Sequence, residues 1–193
     1  MDSVSYALGV MLSKNLKQQG FSKVDPEQLA KGFSEGLAGN AAMDVAAANA
    51  AIQEYMQKKQ EMAGAEARKA GEDFLAENGK RPEVTTTDSG LQYEVLQEGS
   101  GASPTATETV EVHYHGTLID GTVFDSSVDR GQTIEFPLNR VIAGWTEGVQ
   151  LMQEGAKYRF FIPWNLAYGE RGSAPKIPPY AALIFDVELF KVK

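Results

Sequence analysis

Asp125 follows Phe124 directly in the stretch VHYHGTLIDGTVFDSSVDRG, residues 112–131, and an alternating apolar run carrying Tyr114 lies just upstream. A carboxylate beside an aromatic ring and an apolar strand points to a greasy pocket holding one or two polar groups. It does not point to a nucleophile, a metal cage or a phosphate cradle. The competing chemistries find little support. His113 and His115 form a His-x-His pair on one strand face, but no third ligand lies nearby and both face away from the apolar side. They read as solvated strand histidines, and no metal is expected. Ser126-Ser127 has no histidine and carboxylate at a recognisable offset. The chain has no cysteine, which excludes thiol catalysis, disulfides and zinc–thiolate sites. Gly169-Glu170-Arg171-Gly172 lacks the GK[ST] of a phosphate loop. The acidic residues fall mainly in turns and on polar faces, a poor basis for a glycosidase pair. What remains is an aromatic set (Tyr114, Phe124, Phe136, Trp145, Tyr168 and Phe185) with Asp125 and Arg130. Taken singly, each aromatic is ordinary core. The polar tips of Tyr and Trp need partners when buried, and together the set allows a site.

These residues all fall in one half of the chain. Residues 1 to about 84 are rich in Ala, Gln, Lys and Glu; residues 88–193 are rich in Gly, Pro, Val, Ile, Thr and aromatics. The first half reads as helical and the second as a sheet domain. In the second half, Leu91, Tyr93 and Val95 alternate, as do Val110, Val112 and Tyr114, then Tyr158, Phe160 and Ile162, then Leu183, Phe185, Val187 and Leu189. Asp120-Gly121 signals a hairpin turn, and a short helix fits between Ile142 and Met152. The expected fold is α+β: an antiparallel sheet with one short helix packed on it, preceded by helices.

In the first half, Val4, Leu8, Met11, Leu12 and Leu16 share one face of a helix over about 3–19, stopped by Gly20. Asp25-Pro26-Glu27-Gln28 is a helix start, with Asp25 as N-cap, Pro26 in the first turn and Gln28 at the capping-box position. Leu29, Phe33 and Leu37 form its stripe, and Gly39-Asn40 ends it. A third helix runs from after Asp44 to about Asn78, about 50 Å at the usual rise per residue. Its apolar residues thin out after Met56, and Gly64 and Gly71 weaken it by roughly 1 kcal/mol each. It reads as a solvated strut. Three helices with so little core make a poor monomer, so this half is expected to pair with its copy as a homodimer. The expected domains are 1–43, a dimerisation module; 44–84, the linker helix; and 85–193, the sheet domain.

The bulk numbers narrow the partners. The chain has 193 residues, 42% hydrophobic and 23% charged, with a net charge of −8. An acidic chain without Lys/Arg clusters has no surface to replace phosphate counterions, so nucleic acid is not an expected partner. No apolar run approaches the roughly 20 residues of a membrane span. The first residues lack the basic start and cleavage site of a leader, so the expectation is cytoplasmic, with the periplasm or cell envelope as the alternative if a leader has been removed.

Residues 88–193 resemble the catalytic domain of the FKBP-type peptidyl-prolyl isomerases through VHYHGTLIDGTVFDSSVDRG, RVIAGWTEGVQLMQEGAKYRFFIP, LAYGERG and IPPYAALIFDVELF, in order and at the expected spacing. The helical half resembles the dimerisation module of the bacterial branch related to macrophage infectivity potentiator. The resemblance implies that Trp145 floors a proline pocket and that Tyr114, Phe124, Phe136, Val141, Ile142, Ile177 and Phe185 wall it. It implies that the Ile142 N–H and the Tyr168 hydroxyl hold substrate carbonyls, and that Asp125, oriented by Tyr114 and Arg130, sits near the reacting one. It implies isomerisation of X-Pro bonds in unfolded or partly folded proteins, no cofactor, chaperone activity from a dimeric cradle and a pocket open to macrolide inhibitors. Ile134, Ser173, Ala174 and Lys176 depart from the commonest pattern, which bears on substrate preference and macrolide affinity. The rival reading is a non-catalytic chaperone or adaptor that uses the pocket only for binding.

Overall fold

The computed structural model describes residues 2–21 and 23–193. It divides into two compact units, residues 1–55 and 56–193. The first holds α1 (Ser3–Gln18), α2 (Pro26–Ala38) and the beginning of α3 (Val45–Asn78). The start signals of α2 act as the sequence indicates. Asp25 Oδ1 accepts from the N–H groups of Glu27 at 2.9 Å and Gln28 at 3.2 Å, and Gly39 closes the helix at φ 72°. Asp44 likewise accepts from the Ala47 N–H, at 2.7 Å, where α3 begins. The apolar stripes of α1 and α2 find no core. Among the described residues none in either helix is buried, and Leu8, Phe33 and Leu37 are 62%, 60% and 77% exposed.

The second unit is built on a seven-stranded antiparallel sheet. Its strands are β1 (Val84–Thr86), β2 (Gln92–Gln97), β3 (Thr109–Leu118), β4 (Val123–Ser126), β5 (Ile134–Pro137), β6 (Lys157–Ile162) and β7 (Leu183–Val192). They run in the order β1-β2-β6-β7-β3-β4, with β5 also paired to β3. The α+β architecture expected from the sequence is the one found. β1 and β5 go beyond that expectation, being too short for an alternating pattern to stand out. Period-two alternation buries Val110, Val112 and Tyr114 of β3 and Leu183, Phe185, Val187 and Leu189 of β7 on one face. The helix α4 (Ala143–Val149) lies on that face and buries Trp145. It can lie close because its contact residues, one turn apart, are glycines. A Cβ at Gly144 would stand 2.5 Å from Ile162, and one at Gly148 would stand 2.7 Å from Phe160.

The latter part of α3 differs from the solvated strut that its polarity indicates. From Met56 onward it belongs to the second unit. Gly64 meets Pro179 and Tyr180, Gly71 meets Ala182, the Phe74 ring stands 5.9 Å from that of Phe161, and buried Asn78 donates to Gln92 at 2.8 Å. Arg68 lies over the rings of Trp164 and Tyr180, 5.4 and 5.9 Å from their centroids. The helix's hydropathy hides this seam because glycines carry it. Residues that look like helix defects are the points where another backbone comes near.

Candidate active site

A cavity of about 650 Å³ opens over α4, between β3, β4, β7 and the loop at 173–177. The Trp145 indole lies beneath it, 4% exposed. Its ring stands edge-on to Tyr114 at 5.4 Å and to Phe185 at 5.1 Å, and tilted to Phe136 at 5.3 Å. Phe124 meets Phe185 edge-on at 5.3 Å. The gap that admits these two rings is Gly116 of β3, where a Cβ would stand 2.7 Å from Phe185 and 2.8 Å from Phe124. Val141 and Ile142 line the cavity at the start of α4, and Ile177 does so from the loop.

Polar groups are few and well placed. Tyr114 donates its hydroxyl to Asp125 Oδ2 and accepts from Arg130 Nη2 at 2.8 Å, while Arg130 Nη1 donates to Asp125 Oδ1. The three side chains close a ring at the cavity edge. Burial pushes the Asp125 carboxyl up, but the hydrogen bonds from Tyr114 and Arg130, with the guanidinium charge, outweigh it and hold the group below its ordinary value. Burial, then the Asp125 carboxylate, raises Tyr114; the same two causes raise Tyr168. Among the donors without a partner in the described residues are the Ile142 N–H at the cap of α4, the Tyr168 hydroxyl and the buried Trp145 Nε1.

Every site residue that the resemblance implies lines this cavity except Arg130, which reaches it through Asp125 and Tyr114. The two histidines are not freely solvated. His113 Nδ1 is hydrogen-bonded to Ser127 Oγ and His115 Nδ1 to Ser126 Oγ, both at 2.9 Å. Ser127 is fully buried and also accepts from the Tyr114 N–H at 2.8 Å. The serine pair thus anchors the strand that presents Asp125. Sequence reasoning missed Arg140 and Pro175, which also line the cavity. Arg140 stands two residues before Ile142, and that nearness was the available signal.

A cavity floored by an indole, walled by aromatic rings and edged by a fixed carboxylate and unpaired donors suits a compact apolar ring flanked by carbonyls. Comparison with known proteins agrees. A family model described as "FKBP-type peptidyl-prolyl cis-trans isomerase" matches residues 101–190, and one described as "Domain amino terminal to FKBP-type peptidyl-prolyl isomerase" matches residues 1–95. The FKBP-type peptidyl-prolyl cis-trans isomerase FkpA of Aeromonas hydrophila is 47% identical over 97% of this chain and 75% of its own length. The FKBP-type 22 kDa peptidyl-prolyl cis-trans isomerase of Escherichia coli is 43% identical over 97% of this chain and 93% of its own. The outer membrane protein MIP of Legionella longbeachae is 40% identical over 100% of this chain and 85% of its own. The crystal structure of FkpA from Escherichia coli superposes with a TM-score of 0.84 at 36% identity, covering 99% of this chain and 93% of that one. The chain belongs to the FKBP-type peptidyl-prolyl cis-trans isomerases. Its activity is therefore isomerisation of X-Pro bonds, which sets aside the binding-only alternative. No helix of the described residues is long and apolar enough to cross a membrane.

Proposed function

We propose that the cavity over Trp145 isomerises X-Pro bonds by favouring the twisted amide over the planar one, with no covalent step. Amide resonance sets a barrier of about 18–20 kcal/mol, so uncatalysed rotation takes tens to hundreds of seconds. A twisted amide loses charge separation and tolerates desolvation better than the planar form, so a dry pocket binds it preferentially. The proline ring sits on the indole. The Ile142 N–H and Tyr168 hydroxyl hold flanking carbonyls. Asp125 supports the reacting carbonyl's carbon side as a fixed charge rather than a base. The observation that carries this reading is the ring of Tyr114, Asp125 and Arg130 at the edge of a cavity floored by Trp145 and walled by aromatic rings. The test is exchange NMR on a proline peptide: Trp145→Ala and Asp125→Ala each lower kcat/KM about tenfold or more, and wild-type rates in both would refute the assignment.

The division into a dimerisation module at 1–43, a linker helix at 44–84 and an isomerase domain at 85–193 belongs to the same proposal. Two chains pair through α1 and α2, whose apolar residues, including Leu8, Leu12, Leu29 and Phe33, line a groove of about 620 Å³. Covering that surface offsets the missing core. The dimer holds two cavities around unfolded or partly folded clients and raises their effective concentration, which is the chaperone role. The cavity also takes macrolides, with affinity set by Ile134 and Lys176 on its lining. The name of the Legionella relative favours the envelope, and the cytoplasm is the alternative that fractionation tests. Leu8→Glu with Phe33→Glu yields a monomer by light scattering and slows protein refolding more than peptide turnover. An unchanged mass would overturn the dimer.

A further inference from the structure

The charges on the cavity's lining do not balance. Asp125, Arg140 and Lys176 are the charged residues there. Asp125 is neutralised by Arg130 from behind. Arg140 is exposed and has neither an ion pair nor a side-chain hydrogen bond among the described residues. Lys176 donates its ammonium to the Phe124 carbonyl at 2.7 Å, an uncharged acceptor. That bond straps its loop to β4, next to Asp125. The loop itself is tied at its base, where Ser173 and Ile177 exchange hydrogen bonds of 2.8 and 2.9 Å. Two uncompensated cations therefore edge an apolar cavity, in a chain whose net charge is −8.

We infer that Arg140 and Lys176 determine specificity among polar and charged substrates: where the residue preceding proline is charged, the enzyme turns over the acidic one faster than the basic one. This rests on the proposed pocket. With the proline ring over Trp145, the preceding Cα lies about 2.9 Å (cis) to 3.8 Å (trans) from that of the proline. Arg140 and Lys176 both line the cavity that holds the proline ring, so a side chain one residue away lies within reach of the two cations. Arg140 lies two residues before the open Ile142 N–H, and Lys176 is held at the β4 side. A carboxylate there gains both cations; an ammonium meets both as like charges. Exposed pairs are individually weak, so the expected discrimination is modest, about fivefold between Glu and Lys at low salt, and fades as screening shortens the reach of the charges.

The experiment measures kcat/KM by exchange NMR on full-length protein with peptides carrying Leu, Glu, Gln or Lys before proline, at about 20 mM and about 500 mM salt, where the screening length differs severalfold. The expected order is Glu above Gln above Lys at low salt, compressed at high salt. In Arg140→Gln the Glu/Lys ratio falls, and in Arg140→Glu it drops to one or below. Equal Glu, Gln and Lys rates with the Leu peptide turned over would overturn this inference alone, as would a ratio that both Arg140 variants leave unchanged. Failure to turn over the Leu peptide would overturn the pocket assignment as well.

Discussion

Gly116 offers the sharpest test of the pocket's construction, because its backbone needs no glycine and only its neighbours do. It lies within β3, opposite Phe185 of β7, and a Cβ there would meet Phe185 at 2.7 Å and Phe124 at 2.8 Å. Relaxing 2.7 Å to an ordinary 3.4 Å contact moves a ring by roughly 0.7 Å. Overpacking of this kind costs about 1–3 kcal/mol, partly offset by about 0.4–1 kcal/mol from the stiffer unfolded chain. The net in Gly116→Ala is a loss of about 1–2 kcal/mol, or a Tm lower by roughly 3–8 °C. Both displaced rings wall the cavity, and misplacement of about 1 Å can cost a hundredfold in rate, so kcat/KM should fall on the order of tenfold. Calorimetry gives the first quantity and exchange NMR on a proline peptide the second. A Tm and a kcat/KM both equal to wild type would refute the packing. A lower Tm with unchanged kcat/KM would show that the two rings do not shape the substrate's site.

Two further outcomes follow from geometry elsewhere. A Cβ at Gly71 would stand 2.9 Å from that of Ala182, so Gly71→Val should loosen α3 from the sheet unit at a cost of about 1–3 kcal/mol. Hydrogen exchange in residues 60–75 should rise, and unchanged protection would contradict the seam. Asp125 titrates below its ordinary value, so the unfolded chain takes up the proton first. Its contribution to stability is then present above about pH 4 and is lost as the pH falls through the lower folded value. Asp125→Asn should therefore be less stable than wild type near neutrality, with the gap closing in acid. A gap that stays constant from pH 7 to pH 2 would count against the Tyr114–Asp125–Arg130 ring.

Much of the sheet unit is legible in the sequence because its physics is local. The alternation in β3 and β7 sets which side chains turn inward, so the pattern alone puts Tyr114 and Phe185 on the apolar face that becomes the pocket. The start of α2 is equally plain, since Asp25 and Pro26 act through bonds within one turn. What the pattern hides depends on contacts between distant segments. Gly71 meets Ala182 more than a hundred residues away, and nothing in the helix's own hydropathy announces it. The serines beside Asp125 look like idle hydroxyls until the hairpin sets them against His113 and His115. Arg140 looks like a surface charge at the end of a short 3-10 turn, and only the folded loop at 173–177 across from it makes it part of a rim.

The most direct test of a non-covalent, desolvating pocket is the pH and solvent-isotope dependence of kcat/KM on a proline peptide. The cavity's carboxylate is held below its ordinary range, and burial raises its phenols, Tyr114 and Tyr168. Asp125 therefore stays charged and both tyrosines neutral throughout about pH 6–9. With no proton in flight, kcat/KM should stay within about twofold over that range and the solvent isotope effect should be near one. A bell-shaped profile, or an isotope effect of about two or more, would mean that a proton moves in the transition state and that the pocket does not work by shape and desolvation.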